Sequence, residues 1–163
     1  MGKTILIVAI VLVSILAILT IALIFINKKK ASIKATILGS ECINHKEFEK
    51  NWSGSGGGKR AFNTGYKYMS CCGCYVITIF SKKPDESDHT KYEKVYVGSG
   101  NNVFLKIHNH FTGRGNPDIA SACKKGKYVY ASIIPCDKDN LEKTEKQLSA
   151  IFAETKFQNP FKK

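Results

Sequence analysis

Side chains that could perform acid–base or phosphate chemistry lie on two predicted helices near the C-terminal end. Lys106 and His110 are four residues apart, and this spacing places both on one helix face beside an apolar stripe. Glu145 points within about 40° of the centre of an apolar face on the second helix. A carboxylate there costs free energy unless a cation, a metal or a hydrogen-bond donor meets it. These are candidate site residues, and solvated surface side chains are the alternative.

Two tyrosines, Tyr75 and Tyr96, each lie within an apolar, β-branched stretch that predicts a strand. A buried tyrosine usually packs in the core and needs only one partner for its hydroxyl group. Neither residue alone therefore indicates catalysis.

The elements that position these residues are predicted from periodicity and turn residues. They are strands at 74–80, 93–98 and 127–135, and helices at 101–112, 117–125 and 139 to about 154. This order predicts an α+β fold in which a small antiparallel sheet is covered by helices. Asp139 and Glu142 match a capping box at the start of the last helix, which gives Glu142 a structural role.

Residues 5–26 contain no charge and form an apolar run of 22 residues. At about 1.5 Å per residue such a helix spans roughly 33 Å, enough to cross a bilayer core. We therefore expect a transmembrane anchor at 1–27, a basic juxtamembrane segment with a Gly/Ser-rich linker at 28–65, and a folded domain at 66–163. The lysines that follow the run predict a single-pass protein of the cell membrane with its C-terminal domain in the cytoplasm. A cleaved signal peptide is the alternative.

The part of the chain after the apolar run is strongly basic. It holds all 13 acidic residues and 24 of the 25 lysines and arginines, a formal net charge of about +11. Such a charge favours polyanionic partners, either nucleic acid or an anionic lipid surface. A solvated basic surface is the alternative.

The chain has six cysteines, which we expect to be reduced thiols in the cytoplasm. The spacing of Cys71, Cys72 and Cys74 is not that of a usual zinc site. If the protein is instead exported after signal cleavage, the even number of cysteines would be available for disulfides.

Residues 73–75 (Gly-Cys-Tyr) followed by 96–98 (Tyr-Val-Gly) resemble the paired signature of the GIY-YIG nuclease superfamily. The similarity extends from about residue 72 to 159 and includes the helix ending in "HNHF", the "GRGN" loop, the third strand, the acidic helix and a terminal asparagine. The resemblance is closest to small bacterial proteins with a similarly long loop between the signature strands.

This resemblance implies a three-stranded antiparallel sheet flanked by helices, and cleavage of DNA phosphodiester bonds that depends on Mg²⁺ or Mn²⁺. Tyr75 and Tyr96 match the signature tyrosines, one of which would help to activate water. Glu145 matches the metal-binding glutamate, His110 a polar site position and Asn159 the asparagine near the end. No organic cofactor is expected.

Lys106 departs from the superfamily, which has its catalytic arginine at this position. Lysine keeps the positive charge but lacks the planar fork that contacts phosphate at two points. Arg114 is a candidate to supply a guanidinium instead. Lys106, Arg114, Lys124, Lys125 and Asn159 are the candidate DNA contacts. The sequence thus predicts a membrane-anchored DNA endonuclease, with a catalytically weak or inactive nucleic-acid-binding module as the alternative.

Overall fold

The computed structural model describes residues 2–39, 42–52, 71–85 and 89–152. The Gly/Ser-rich stretch at 53–60, the end predicted for the last helix near residue 154, and Asn159 lie outside these ranges. The chain divides into two compact units, Met1–Lys34 and Ala35–Lys163.

Helix α1 (Gly2–Gly39) contains the apolar run. From Val11 to Ile26 its large apolar side chains are exposed, as they must be in a helix that contacts lipid rather than a protein core. By length and composition α1 can cross a membrane, a property that signal sequences share.

The second unit is built on a four-stranded antiparallel sheet in the order β1-β4-β2-β3. The strands are β1 (Ile43–Asn44), β2 (Gly73–Phe80), β3 (Lys94–Gly100) and β4 (Tyr128–Pro135). The antiparallel pairing of β2 with β3 confirms that the first two predicted strands are antiparallel neighbours in the sheet. All eight residues of β2 are buried. This burial explains why its sequence is continuously apolar rather than alternating.

The predicted three-stranded sheet is not confirmed, because the two-residue strand β1 pairs with β4 at the sheet edge. Strand β1 leads into helix α2 (His45–Asn51), whose Phe48 is fully buried in the core. Both elements precede residue 66, where the folded domain was predicted to begin. The folded part therefore includes a segment that was assigned to the juxtamembrane region before the linker.

Helices cover both faces of the sheet. On one face α2, α3 (Val103–Thr112) and α4 (Pro117–Lys124) pack over Tyr75, Ile77 and Val129. On the other face α5 (Leu141–Ile151) packs Leu148 against Cys74 and Val76. The two helices that carry the candidate site residues, α3 and α5, therefore lie on opposite sides of the sheet.

The capping box predicted for the last helix is absent. Asp139 lies inside a 3₁₀ turn (Lys138–Asn140), and α5 begins after it, without a side-chain cap on Asn140. Glu142 instead pairs with Lys146 one turn on, with 2.7 Å between the carboxylate oxygen and Nζ, on the exposed side of the helix. The extra 3₁₀ turn moves the helix start and removes the geometry that a capping box needs.

Candidate active site

A cleft of about 450 Å³ opens where the C-terminal half of β3 approaches α3 and α5. Its lining includes most of the residues that the sequence singled out: Tyr75, Tyr96, Lys106, His110, Arg114 and Glu145. Residues that are up to 70 positions apart in the chain thus meet in one cavity.

The two tyrosines project from the same sheet face. Tyr75 on β2 pairs in register with Gly98, and Tyr96 on β3 pairs with Ile77, so the tyrosines are diagonal neighbours. Their ring centroids are 6.2 Å apart. Tyr75 is 2% exposed and Tyr96 is 8% exposed, which leaves Tyr96 nearer to the solvent of the cleft.

The glycine after the second tyrosine is required by this arrangement. A Cβ atom on Gly98 would lie 2.5 Å from the hydroxyl oxygen of Tyr75 and 3.0 Å from the ring of Tyr96. The first distance is shorter than real Cβ contacts and the second is tight, so a side chain at position 98 would displace the Tyr75 ring. Gly98 thus leaves the space in which the Tyr75 hydroxyl group lies, above the neighbouring strand.

His110 is buried on α3 and joins the tyrosines through its ring nitrogens. Its Nε2 atom lies 2.9 Å from the hydroxyl oxygen of Tyr75, and its Nδ1 accepts a hydrogen bond of 2.8 Å from the backbone N–H of Asn116. A nitrogen that accepts from an N–H carries no proton, so the neutral ring holds its proton on Nε2. His110 therefore donates to Tyr75.

Electrostatics keep this ring neutral. Burial, and then the neighbouring positive charge of Lys106, lower the pKa of His110 to about 4. Burial also raises the pKa of Tyr75, and a hydrogen bond with Tyr96 adds to the increase. The two hydrogen bonds of the histidine ring therefore run in one direction, from the N–H of Asn116 to His110 and from His110 to Tyr75.

The loop between α3 and α4 holds His110 in place. Gly113, at φ 90°, ends α3 in the left-handed region that glycine favours, and Asn116 starts α4 by accepting a hydrogen bond from the N–H of Asp118. A Cβ atom on Gly115 would lie 2.5 Å from Nδ1 of His110. The "GRGN" sequence thus turns the chain closely around the histidine and extends Arg114 from the turn into the cleft lining.

Glu145 reaches the cleft from α5 and accepts a hydrogen bond of 2.6 Å from the hydroxyl group of Ser99 on β3. Ser99 follows Gly98 directly and points to the opposite sheet face from the tyrosines. This bond supplies the hydrogen-bond donor that a carboxylate near an apolar face needs.

Sequence reasoning missed Ser99 and Asn116, which hold Glu145 and His110, and Asn109, which also lines the cleft. Ser99 has no distinctive spacing, and Asn116 acts through its backbone N–H, which any residue except proline has. The asparagine before Pro117 is a recognisable helix-start signal, and it could have indicated where the loop closes on α3.

Lys124 and Lys125 do not line this cleft. They lie at the C-terminal end of α4, and Lys125 borders a separate hollow beside Ile79 and Lys94. On β2, Ile79 is four residues from Tyr75, or about 13 Å along the strand. These lysines are therefore not part of the same cavity.

Within the described residues, no group of three or more His, Cys, Asp or Glu side chains is arranged to bind a metal ion. Glu145 is the acidic side chain in the lining of the cleft. Comparison of the chain with protein-family models, curated proteins and solved structures found no match.

Proposed function

We propose that this protein is a membrane-anchored endonuclease of the GIY-YIG type, which hydrolyses DNA phosphodiester bonds with Mg²⁺ or Mn²⁺. One observation carries the proposal. The tyrosines, the histidine, two cations and the carboxylate line a single cleft, although they come from four separate elements and a loop. The family resemblance supplies the reaction class, and the chemistry of these side chains is consistent with it.

The cations of the cleft suit a phosphate group. Lys106 and Arg114 are both exposed and line the same cavity. An ammonium group neutralises phosphate as a point charge, and a guanidinium group contacts two phosphate oxygens at once. In our proposal Lys106 stabilises the charge that develops on the phosphoryl oxygens, and Arg114 orients the phosphate.

The direction of the hydrogen bonds assigns different roles to the ring side chains. His110 is a donor to Tyr75, and its other nitrogen is occupied by the N–H of Asn116. His110 therefore does not act as the general base. We assign contact with the attacking water to Tyr96, the more exposed tyrosine, and we assign His110 and Tyr75 to positioning its hydroxyl group.

Glu145 fits the requirements of a magnesium or manganese ligand. Mg²⁺ in phosphate-processing sites is often held by one or two carboxylates, with water and substrate oxygens completing the coordination. Ser99 orients the Glu145 carboxylate, as outer-shell hydrogen bonds commonly do for metal ligands. Bound there, the metal would act as a Lewis acid on the phosphoryl group.

The cellular placement is part of the same proposal. Lysines at 28, 29, 30 and 34 follow the apolar run, and the positive-inside rule then keeps the C-terminal domain in the cytoplasm. Protease added to intact cells should leave the domain undigested. Digestion of the domain from outside would reverse the orientation.

A plasmid-nicking assay tests the activity. The full chain in detergent should convert supercoiled plasmid to the nicked form with Mg²⁺ or Mn²⁺, and EDTA should stop the reaction. A fragment that begins at residue 60 is unsuitable, because it lacks β1 and the buried Phe48. Absence of metal-dependent cleavage by folded protein would reject the endonuclease proposal.

The alternative is a nucleic-acid-binding module with little or no activity, and the presence of lysine at position 106 favours it. Such a module would bind DNA with an affinity that falls steeply as salt increases, because phosphate contacts release counterions. It would show no cleavage with either metal. Binding that is absent at low salt would reject any role on nucleic acid.

A further inference from the structure

Two cysteines outside the cleft face each other across neighbouring strands. Gly73 pairs with Pro135 in the antiparallel register of β2 and β4, so the preceding Cys72 stands opposite Cys136. The backbone N–H of Cys136 donates to the carbonyl oxygen of Cys72 at 3.2 Å, which confirms that the pairing continues by one step. Directly opposed residues project their side chains from the same sheet face.

The spacing of this pair suits a disulfide. Residues opposed in a hydrogen-bonded antiparallel position have Cα atoms about 5.5 Å apart, inside the roughly 4.4–6.8 Å range of disulfides. Both thiols are partly exposed, whereas Cys74 is fully buried with its thiol directed at the carbonyl oxygen of Leu141. The thiol of Cys72 is directed at Oδ1 of Asn101, 3.8 Å away, and turns from there to meet Cys136. Cys74 stands diagonally to Cys136 and shares a side-chain hydrogen bond with it. Burial raises the pKa of Cys74 to about 12, so Cys74 holds little of the thiolate that attacks a disulfide.

The pair lies where the two site helices are joined to the sheet. The N–H of Val103, the first residue of α3, donates to the carbonyl oxygen of Cys71 at 3.1 Å. Cys136 directly follows β4, just before the turn that leads into α5. The segment at 71–72 therefore connects by backbone hydrogen bonds to the start of α3 and to the approach to α5.

We propose that Cys72 and Cys136 are an oxidisable thiol pair that forms a disulfide with low-molecular-weight disulfides such as oxidised glutathione. The thiolate of one cysteine attacks a glutathione sulfur atom, forms a mixed disulfide and releases one glutathione thiolate. The thiolate of the second cysteine then attacks the protein sulfur atom of that mixed disulfide and releases the second glutathione. Two protein thiols lose two electrons and two protons, and one glutathione disulfide becomes two glutathione thiols.

This bond would close a loop from residue 72 to residue 136, which contains strands β2 to β4 and helices α3 and α4, with both tyrosines, the histidine and both cations of the cleft. Closing a loop of this length removes conformational freedom from the unfolded chain. The oxidised protein should therefore melt at a higher temperature than the reduced protein, by about 5–15 °C. This inference does not depend on the proposed nuclease activity.

Mass spectrometry tests the pair directly. The full chain in detergent is treated with oxidised glutathione, the remaining thiols are alkylated, and the protein is digested with trypsin without reduction. Cleavage after lysine yields a peptide of residues 68–82, which holds Cys71, Cys72 and Cys74, and a peptide of residues 128–138, which holds only Cys136. We expect these two peptides to be joined, with the loss of two hydrogens.

Variants identify the partner within the first peptide. Cys72→Ser should abolish the joined peptide. Cys71→Ser should retain it, because Cys71 alternates to the other sheet face and packs against the opposite core cluster. A joined peptide that survives Cys72→Ser, or Cys136 that stays fully alkylated after oxidation, would overturn the proposal.

A melting measurement tests the loop closure independently of the peptide analysis. The chain has one tryptophan, Trp52, stacked on His108 with 4.3 Å between ring centroids, so its fluorescence reports on unfolding of the domain. The wild type should melt at a higher temperature when oxidised than when reduced, and Cys136→Ser should not respond to oxidation. An equal melting temperature for both wild-type forms would contradict the loop closure.

Discussion

His110 donates a hydrogen bond to Tyr75, with 2.9 Å between Nε2 and the hydroxyl oxygen. The direction follows from Asn116, whose backbone N–H occupies the other ring nitrogen. A proton-accepting role for His110 would require one of these hydrogen bonds to break. The ring is therefore a fixed donor at the inner end of the cleft.

This tautomer can be observed by nitrogen NMR. With ¹⁵N-histidine labelling at pH 7, the His110 ring should show a protonated Nε2 and an unprotonated Nδ1. In a Gly115→Ala variant the added methyl group would crowd Nδ1, which lies 2.5 Å from its position, and the pattern should change. A protonated Nδ1 in the wild type would contradict the donor direction.

Acid should destabilise the domain through His110. Because its folded pKa is about 4 and its ordinary value is 6.5, the unfolded state binds the proton more readily between these values. Stability is therefore complete above pH 6.5 and is lost as the pH falls towards 4, by about 3 kcal/mol for this group.

Urea unfolding followed by Trp52 fluorescence at pH 7 and pH 4 measures this loss. Burial also lowers the pKa values of His45 and His108, so these residues contribute to the total pH dependence. His110→Gln isolates the contribution of His110 and should reduce the difference between the two pH values. An unchanged difference would mean that His110 does not titrate below its ordinary range.

Glu145 and Glu142 provide a matched pair of substitutions on one helix. Glu145→Gln should abolish cleavage while the domain stays folded, because the amide is a poor metal ligand. Glu142→Gln should leave activity unchanged and remove the exposed ion pair with Lys146, which is worth about 0.3–0.5 kcal/mol. Plasmid nicking and urea unfolding measure the two effects, and equal loss of activity in both variants would reject the metal role of Glu145.

Gly98→Ala should displace the Tyr75 hydroxyl group, since the new methyl group would lie 2.5 Å from it. We expect a loss of stability of about 1–3 kcal/mol from overpacking, together with loss of cleavage. Gly39→Ala is the control, because no atom lies within 4 Å of the added Cβ. Similar melting temperatures for Gly98→Ala and the wild type would show that Tyr75 can move without cost.

Lys106 distinguishes the enzyme from the inactive module. If it contacts the phosphate in the transition state, Lys106→Ala should reduce cleavage by about 10²–10³-fold. Lys106→Arg should hold or raise activity, because a guanidinium group contacts phosphate at two points. If Lys106→Ala cleaves as fast as the wild type, Arg114 becomes the candidate for the cation.

The sequence determined the parts of this structure that depend on local pattern. The apolar and β-branched run at 74–80 predicted β2. The four-residue spacing of Val103, Ile107 and Phe111 predicted one apolar stripe on α3, and the structure confirms it, since all three side chains are buried. Helix periodicity also placed the Glu145 carboxylate beside an apolar helix face. Such signals are carried by neighbouring residues and so can be recognised along the chain.

Tertiary structure alone decided the pairings between distant residues. Strand β1 has only two residues and no local signal, and it exists because β4 offers an edge to pair with. Likewise, the Ser99–Glu145 bond and the proton position on His110 depend on how α5 and the loop before α4 pack against the sheet. These contacts join residues that the register and the packing of the core bring together, and no periodicity along the chain encodes them.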